Sequence, residues 1–457
     1  LTVMTFLGAG MLSGISAQVS PLQVDTLKET KIPDQWDLQS CIDYAKEQNI
    51  TIRKNRITAV STQIDVKTAK AALFPSLSFS TGHQVVNRPY QETSSRVSGS
   101  EIISSNSKTS YNGNYGLNAS WTLYNGNKRL KTIQQEKLNN QMAELDVATS
   151  ENNIQESIAQ VYIQILYAAE SVKVNENTLQ VSIAQRDRGQ ELLNAGSIAK
   201  SDLAQLEAQV STDRYQLVTA QATLEDYKLQ LKQLLELDGE NEMNIYLPAL
   251  SDENVLAPLP TKRDVYISAL SLRPEIEASK LNVEASELGI NIAKSSYFPT
   301  ISLSAGIGTN HTSGSDFTFG EQVKNGWNNS IGLSVSVPIF NNRQTKSAVQ
   351  KAKLQYETSM LSLLDEQKAL YKTIESLWLD ANSAQQRYAA ANEKLKSTQI
   401  SYELISEQFN LGMKNTVELL TEKNNLLQAQ QEQLQAKYMA ILNTQLLKFY
   451  QGDQLAI

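Results

Sequence analysis

Residues 69–80 read A-K-A-A-L-F-P-S-L-S-F-S, and residues 293–304 read A-K-S-S-Y-F-P-T-I-S-L-S. The likeness resumes downstream, with Y-G-L-N-A-S-W-T-L-Y-N-G-N-K-R at 115–129 and I-G-L-S-V-S-V-P-I-F-N-N-R at 331–343. Phe74 maps onto Phe298 at an offset of 224 and Asn125 onto Asn341 at 216, so the loop inside the first copy is longer by eight residues (224 minus 216). Self-similarity spaced by roughly half the chain marks a duplicated unit. In each copy a helical pattern stops at Phe-Pro and the period changes from 3.6 to 2. Leu77, Phe79 and Val85 alternate with Ser76, Ser78, Ser80 and Gly82, and Ile301, Leu303, Ala305 and Ile307 alternate with Ser302, Ser304, Gly306 and Gly308.

Working outward, each copy has the same plan. Residues 37–73 and 264–296 are helical in pattern. Polar loops at 88–110 and 311–325 join each first strand to a second. In those second strands Tyr115, Leu117, Ala119, Trp121 and Leu123, or Ile331, Leu333, Val335 and Val337, take one face. Breaker-poor runs at 125–193 and 341–410 predict helices of about 70 residues, about 100 Å each. They are followed by turns at Gly196 and Gly412 and by shorter helices at 200–237 and 416–450. Two short helices equal one long one, so stacked end to end they would lie along it in an antiparallel coiled-coil wall. The proline-bearing stretch 238–262 divides a first repeat, 37–262, from a second, 263–457.

Composition narrows the classes. Of 457 residues 41% are hydrophobic and the net charge is -7, so no basic stripe exists for nucleic acid. No run of about 18 apolar residues remains beyond the N-terminus to cross a membrane as a helix. Residues 1–17, LTVMTFLGAGMLSGISA, are apolar, uncharged and end in small residues, as in a secretory signal cleaved after Ala17; residues 18–36 follow as a linker. The single cysteine, Cys41, excludes an intrachain disulfide framework. Its setting after Trp36 and Asp37 fits helix packing rather than lipid attachment.

Four strands per chain, each with one apolar and one small polar face, suit a membrane barrel, yet four cannot close one. Three chains supply twelve strands. Phe74, Tyr124, Phe298 and Phe340 fall at the helix-facing strand ends, where an interfacial aromatic belt belongs.

In the twin segments at Ala69 and Ala293, in Arg273-Pro274-Glu275-Ile276 with its degenerate partner Asn49-Ile50-Thr51-Ile52, and in the twin glycine turns, the chain resembles the TolC-like outer-membrane efflux protein family. That resemblance implies an α+β membrane protein: a homotrimeric twelve-stranded β-barrel in the outer membrane, continuous with a periplasmic α-helical barrel. It implies a passive exit duct, gated at its periplasmic end, for a tripartite efflux or type I-like secretion system. Its partners would be outer-membrane lipid, a periplasmic adaptor protein and an inner-membrane pump such as an RND or ABC transporter. The resemblance puts adaptor docking at Ala195, Gly196, Ser197, Leu411, Gly412 and Met413, although Ser197 replaces the usual apolar residue. Asp202 and Glu418, six residues after the two glycines, match inward-facing carboxylates at a constriction, with Thr421 departing from the pattern. Lys414 and Phe409 match positions that lock the closed end.

No catalytic constellation, cofactor motif or metal-ligand spacing is read in the sequence; His83 and His311, the only histidines, lie at strand ends. A cell-surface structural coiled coil of adhesin type is the competing class, and it would need helices without the two strand pairs.

Overall fold

The computed structural model describes residues 33–90, 94–98, 101–105, 108–238, 243–248, 255–313, 315 and 317–455. The expected signal segment 1–17, its cleavage point and most of the linker lie outside the described residues.

The first repeat runs α1 (Leu38–Gln48), α2 (Ile50–Ala71), β1 (Ser76–Asn87), β2 (Ser94–Ser98), β3 (Glu101–Ser105), β4 (Thr109–Asn125), α3 (Lys128–Asn194) and α4 (Lys200–Leu234). The second runs α5 (Lys262–Leu272), α6 (Pro274–Lys294), β5 (Thr300–Thr312), α7 (Phe319–Asn325), β6 (Asn328–Ser336), α8 (Gln344–Asn410) and α9 (Thr416–Gln451). Each long helix has 67 residues, about 100 Å at 1.5 Å per residue. Packing partners fix the wall: α2 and α4 both lie along α3, while α6 and α9 lie between α3 and α8. Two short helices therefore do span one long one. No helix among the described residues is long and apolar enough to cross a membrane.

Three sequence expectations are corrected. The helices expected as continuous over 37–73 and 264–296 break at Asn49 and Arg273. Asn49 turns its side chain onto the Thr51 amide at 2.9 Å, and Pro274, lacking an N–H, must start a new helix. Residues 88–110 are not plain loop, since β2 and β3 pair antiparallel there from Ser94↔Ser105 to Ser98↔Glu101. In 311–325 the strand continues to Thr312 and α7 follows, its start fixed by the Thr318 and Glu321 capping box.

The main sheet is antiparallel in the order β1-β4-β5-β6. Register makes its two faces chemically separate, because residues directly opposite share a face. Leu77, Ala119, Ala305 and Ile331 form one row across all four strands, and Ser78, Asn118, Gly306 and Ser330 form the next. The polar face carries Ser, Gly, Asn and Thr with no charged side chain from Ser76 to Gln84, Asn112 to Thr122, Thr300 to Thr312 or Asn328 to Ser336. A register shift between Thr122 and Tyr124 swings Tyr124 opposite Ile301, onto the apolar face. β1 spans 12 residues, about 40 Å extended and about 30 Å when tilted as in membrane barrels, one hydrocarbon thickness.

The core sits at the helical equator. Trp36 is buried and forms a parallel bridge to Ile245, with Trp36 N–H donating to Asn244 O and Tyr246 N–H donating to Trp36 O, both at 2.8 Å. Tyr162 closes the belt by donating to Tyr246 O at 2.6 Å, and Cys41 is fully buried beside it in α1. In the second repeat Arg273, 6% exposed, pairs with Glu275 at 2.7 Å and Glu156 of α3 at 3.1 Å, and stacks over Tyr450 at 4.2 Å. Burial pushes the Glu156 carboxyl above its ordinary pKa and Arg273 pulls it back. Arg273→Met would strand two partly buried carboxylates, at a cost of about 3–5 kcal/mol. Thermal unfolding followed by circular dichroism should show a large loss of apparent Tm; a change within error would mean the network is solvated.

Candidate functional site

At the far end from the sheet, two chain reversals form the tips. Gly196 and Gly412 have φ of +72° and +73°, the left-handed conformation that closes a helix with glycine at least cost. Ser197 N–H donates to Leu192 O and Met413 N–H to Gln408 O, both at 2.8 Å, so both reversals are the same motif. A Cβ at either glycine would meet nothing within 4 Å. Backbone conformation alone demands glycine there. Ala195, Gly196 and Ser197 make a small, exposed first tip. The second is apolar and protruding, with Leu411 75% and Met413 71% exposed.

Asp202 and Glu418 open the helices that follow. Asp202 accepts the Ala199 N–H at 3.0 Å. Glu418 completes a capping box, accepting from Asn415 N–H at 3.2 Å while its own N–H donates to the Asn415 side chain at 2.9 Å. Lys414 Nζ donates to the other Glu418 oxygen at 2.6 Å. This bond, then the Asn415 amide, holds the Glu418 carboxyl below its ordinary pKa. Phe409 does not reach water: it is buried against Leu206 and Leu419, joining α4, α8 and α9. Gly189 of α3 admits Leu206 into this cluster, since a Cβ there would stand 2.4 Å from its Cδ1.

Farther up, the structure brings together three residues that sequence reading missed. Lys423 of α9 pairs with Asp213 of α4, and both contact Ser182 Oγ of α3; the three are 3%, 2% and 2% exposed. Gln209 donates to the second Asp213 oxygen at 2.9 Å. Burial pushes the Lys423 ammonium below its ordinary pKa, and Asp213 raises it again. A signal existed: Leu206, Val210 and Asp213, and likewise Leu419, Lys423 and Leu426, occupy one buried seam at 3–4 residue spacing. Charge stands where that seam calls for an apolar side chain. Gln185 of α3 adds a 2.8 Å bond to Tyr402 of α8.

At the membrane end Phe74, Phe298 and Phe340 are exposed beside the ends of β1, β5 and β6, with Tyr124 half-buried among them. A second aromatic group, Tyr111, Tyr115, Phe319 and Trp327, stands at the opposite strand ends and was not anticipated. No group of three or more His, Cys, Asp and Glu able to hold a metal occurs among the described residues.

The Lys423 contact makes a strong expectation. Lys423→Met leaves a buried carboxylate unpaired and should cost about 3–5 kcal/mol, whereas Lys423→Met with Asp213→Leu should return close to the parent. Apparent Tm across the parent, the two single variants Lys423→Met and Asp213→Leu, and the double variant decides it; a double variant no better than Lys423→Met would show that packing, not charge, is at stake.

The chain matches the family described as "Outer membrane efflux protein" over residues 41–236 and 265–452, one stretch in each repeat. It is 24% identical over 294 residues to the outer membrane efflux protein BepC of Brucella suis, the match covering 64% of this chain and 61% of the relative. To the outer membrane protein TolC of Escherichia coli K12 it is also 24% identical, over 62% of this chain and 58% of the relative. These alignments thus span about three-fifths of either relative. Among solved structures the CusC channel superposes with a TM-score of 0.77 at 19% identity, over 91% of this chain and 92% of that one. With both repeats matched and the whole fold shared, the chain belongs to the outer membrane efflux protein family.

Proposed function

We propose that three copies of the chain form a passive outer-membrane exit duct for a tripartite efflux or type I-like secretion system. The observation that carries this reading is the sheet: four strands of membrane-spanning length, one face apolar, the other small and uncharged, with β1 and β6 left as open edges. Unpaired strand edges do not persist in hydrocarbon, so β6 of one chain pairs with β1 of the next until twelve strands close. The residues of the polar face then line a wide, chemically neutral pore. The helices continue the pore on the periplasmic side, and an N-terminal export signal delivers the chain there.

The tips meet a periplasmic adaptor, the small Ala195-Gly196-Ser197 surface and the apolar Leu411-Met413 surface alternating around the ring. The adaptor in turn engages an inner-membrane pump, which selects the cargo. Asp202 and Glu418 serve two ends at once: they cap their helices and bring six carboxylates to the narrow end of the trimer. Lys414 partly neutralises Glu418, and buried Phe409 holds the two hairpins of a chain together. The four-stranded sheet and the family membership leave the adhesin reading without support.

Two experiments test this. Light scattering of the detergent-extracted protein should give three times the mature chain mass, and a stable water-soluble monomer would overturn the assembly. In planar bilayers, Asp202→Ala with Glu418→Ala should raise conductance and weaken cation preference while the trimer persists. Unchanged conductance and selectivity with a lowered Tm would reduce the two carboxylates to helix caps.

A further inference from the structure

His83 and His311 are the chain's only two histidines and stand 228 positions apart (311 minus 83). The sheet brings them together. His83 of β1 and His311 of β5 are both in register with Gly113 of the intervening strand β4. Glycine is the condition for the meeting: a Cβ at residue 113 would lie 2.1 Å from His311 Cε1 and 2.6 Å from its Nδ1. With no side chain between them, the two rings converge over the bare backbone at a centroid distance of 6.3 Å and an angle of 56°.

Tyr111 and Tyr115, two residues either side of Gly113, wall the pair on the same face. Tyr111 stacks on His83 at 5.8 Å, Tyr115 stacks on His311 at 6.0 Å, and Phe319 of α7 meets His311 edge-on at 4.9 Å. His83 is hydrogen-bonded through Nδ1 to the Tyr111 hydroxyl at 2.7 Å and through Nε2 to Thr81 Oγ1 at 3.2 Å. His311 differs. Its Nδ1 is buried with no hydrogen-bond partner.

Packing alone does not account for that choice of residue. An aromatic side chain covering a strand glycine is a known way to stiffen a sheet, and phenylalanine would do it here without an orphaned nitrogen. Burying an unpaired polar atom costs about 1–3 kcal/mol. A neutral imidazole nitrogen is a metal ligand, and two metal–nitrogen bonds of about 2.0–2.1 Å, with half a ring at each end, add up to about 6 Å between ring centres when the ion lies between them in the trans arrangement open to square-planar Cu2+. The observed ring separation is of that size. Among the described residues no carboxylate or thiolate joins the two imidazoles in a group able to hold a metal, and imidazoles suit borderline divalent cations, with Cu2+ bound most strongly. One His83 nitrogen would exchange its hydroxyl contact for the ion, and the other would keep its hydroxyl partner, which fixes the ring.

We propose that His83 and His311, meeting over Gly113, form a two-imidazole site for a borderline divalent cation, Cu2+ foremost, on the barrel wall at the strand ends remote from the long helices. The site lies within one chain's sheet and is independent of the export reading. The test uses untagged trimer in detergent, titrated with aqueous Cu2+. Because the chain holds only two histidines, electron paramagnetic resonance should report two imidazole nitrogens on one ion per chain. Growth on histidine labelled with 15N in the ring should change the nitrogen couplings of that signal. His311→Phe should leave a one-nitrogen signal and weaken binding at least tenfold by calorimetry. Couplings indifferent to the label, two separate one-nitrogen ions per chain, or equal affinity in the double His83→Phe and His311→Phe protein would each overturn the site.

Discussion

An unpaired strand edge cannot face hydrocarbon, and the shape of this chain follows from that constraint. β1 and β6 are the two edges, and they carry Leu77, Phe79, Ile331 and Leu333 fully outward. β1 continues from α2, and β6 leads into α8, so each edge belongs to one flank of the helical wall. Those flanks are themselves unfinished: Ile57 of α2, Tyr215 and Val218 of α4, and Leu354 and Leu361 of α8 are exposed apolar residues. One flank is made of α2, β1 and α4, the other of α8 and β6. A single head-to-tail rotation in the proposed trimer covers both the strand edges and these side chains, and such a contact must close into a ring or run on as a filament. Pairing at the barrel and packing along the helices therefore specify the same operator.

The duplication is kept most faithfully in backbone conformation. Gly126 and Asn127 precede α3 with positive φ, and Asn342 and Arg343, 216 residues later, precede α8 in the same way. Glu236 and Gly452 end α4 and α9 in the left-handed region, again 216 residues apart. Glu236 occupies a conformation that glycine takes more cheaply, and its side chain meanwhile accepts the Ile50 N–H at the start of α2. Side-chain chemistry has diverged over this shared frame. The position equivalent to Lys423 is Glu207, the one equivalent to Asp213 is Ala429, and the one equivalent to His83 is Ile307. The two hairpins of a chain are thus alike in path and unlike in what holds them.

Periodicity made the architecture legible. The Phe-Pro boundaries, the switch from period 3.6 to 2 and the breaker-free long runs located both long helices and all four barrel strands within a few residues. Breaks at Asn49 and Arg273 were harder, because a cap and a proline at the first helical position interrupt one turn without disturbing the apolar pattern around it. The β2–β3 pair was hidden by its Ser-rich sequence, which reads as loop when strand pairing is unseen. At the tips the glycines and the carboxylates were visible, but what the carboxylates bind was not, since Ala199 and Asn415 are recognisable as caps only once the turn is known. The meeting of His83 with His311 depends on strand order, and no local pattern places β4 between β1 and β5.

The buried Lys423–Asp213–Ser182 contact bears on how the wall can move. Its three members come from α3, α4 and α9 of one chain, and the Phe409 cluster ties in α8. Breaking it would leave charge in an apolar seam, which is far more costly than parting solvated pairs such as Lys394 with Glu432, both about two-fifths exposed. The lower helices of one chain therefore hold together as a unit about 20 Å above the tips, counting the 14 residues from Ser182 to Gly196. Below that level the buried Phe409, Leu206 and Leu419 continue the tie to within one turn of Gly412, and only beyond them are the links exposed helix caps and the Lys414–Glu418 pair, which water can replace. Motion at the narrow end of the proposed duct then falls to the chain reversals beyond the Phe409 cluster or to the contacts between chains, rather than to the separation of hairpins within one chain.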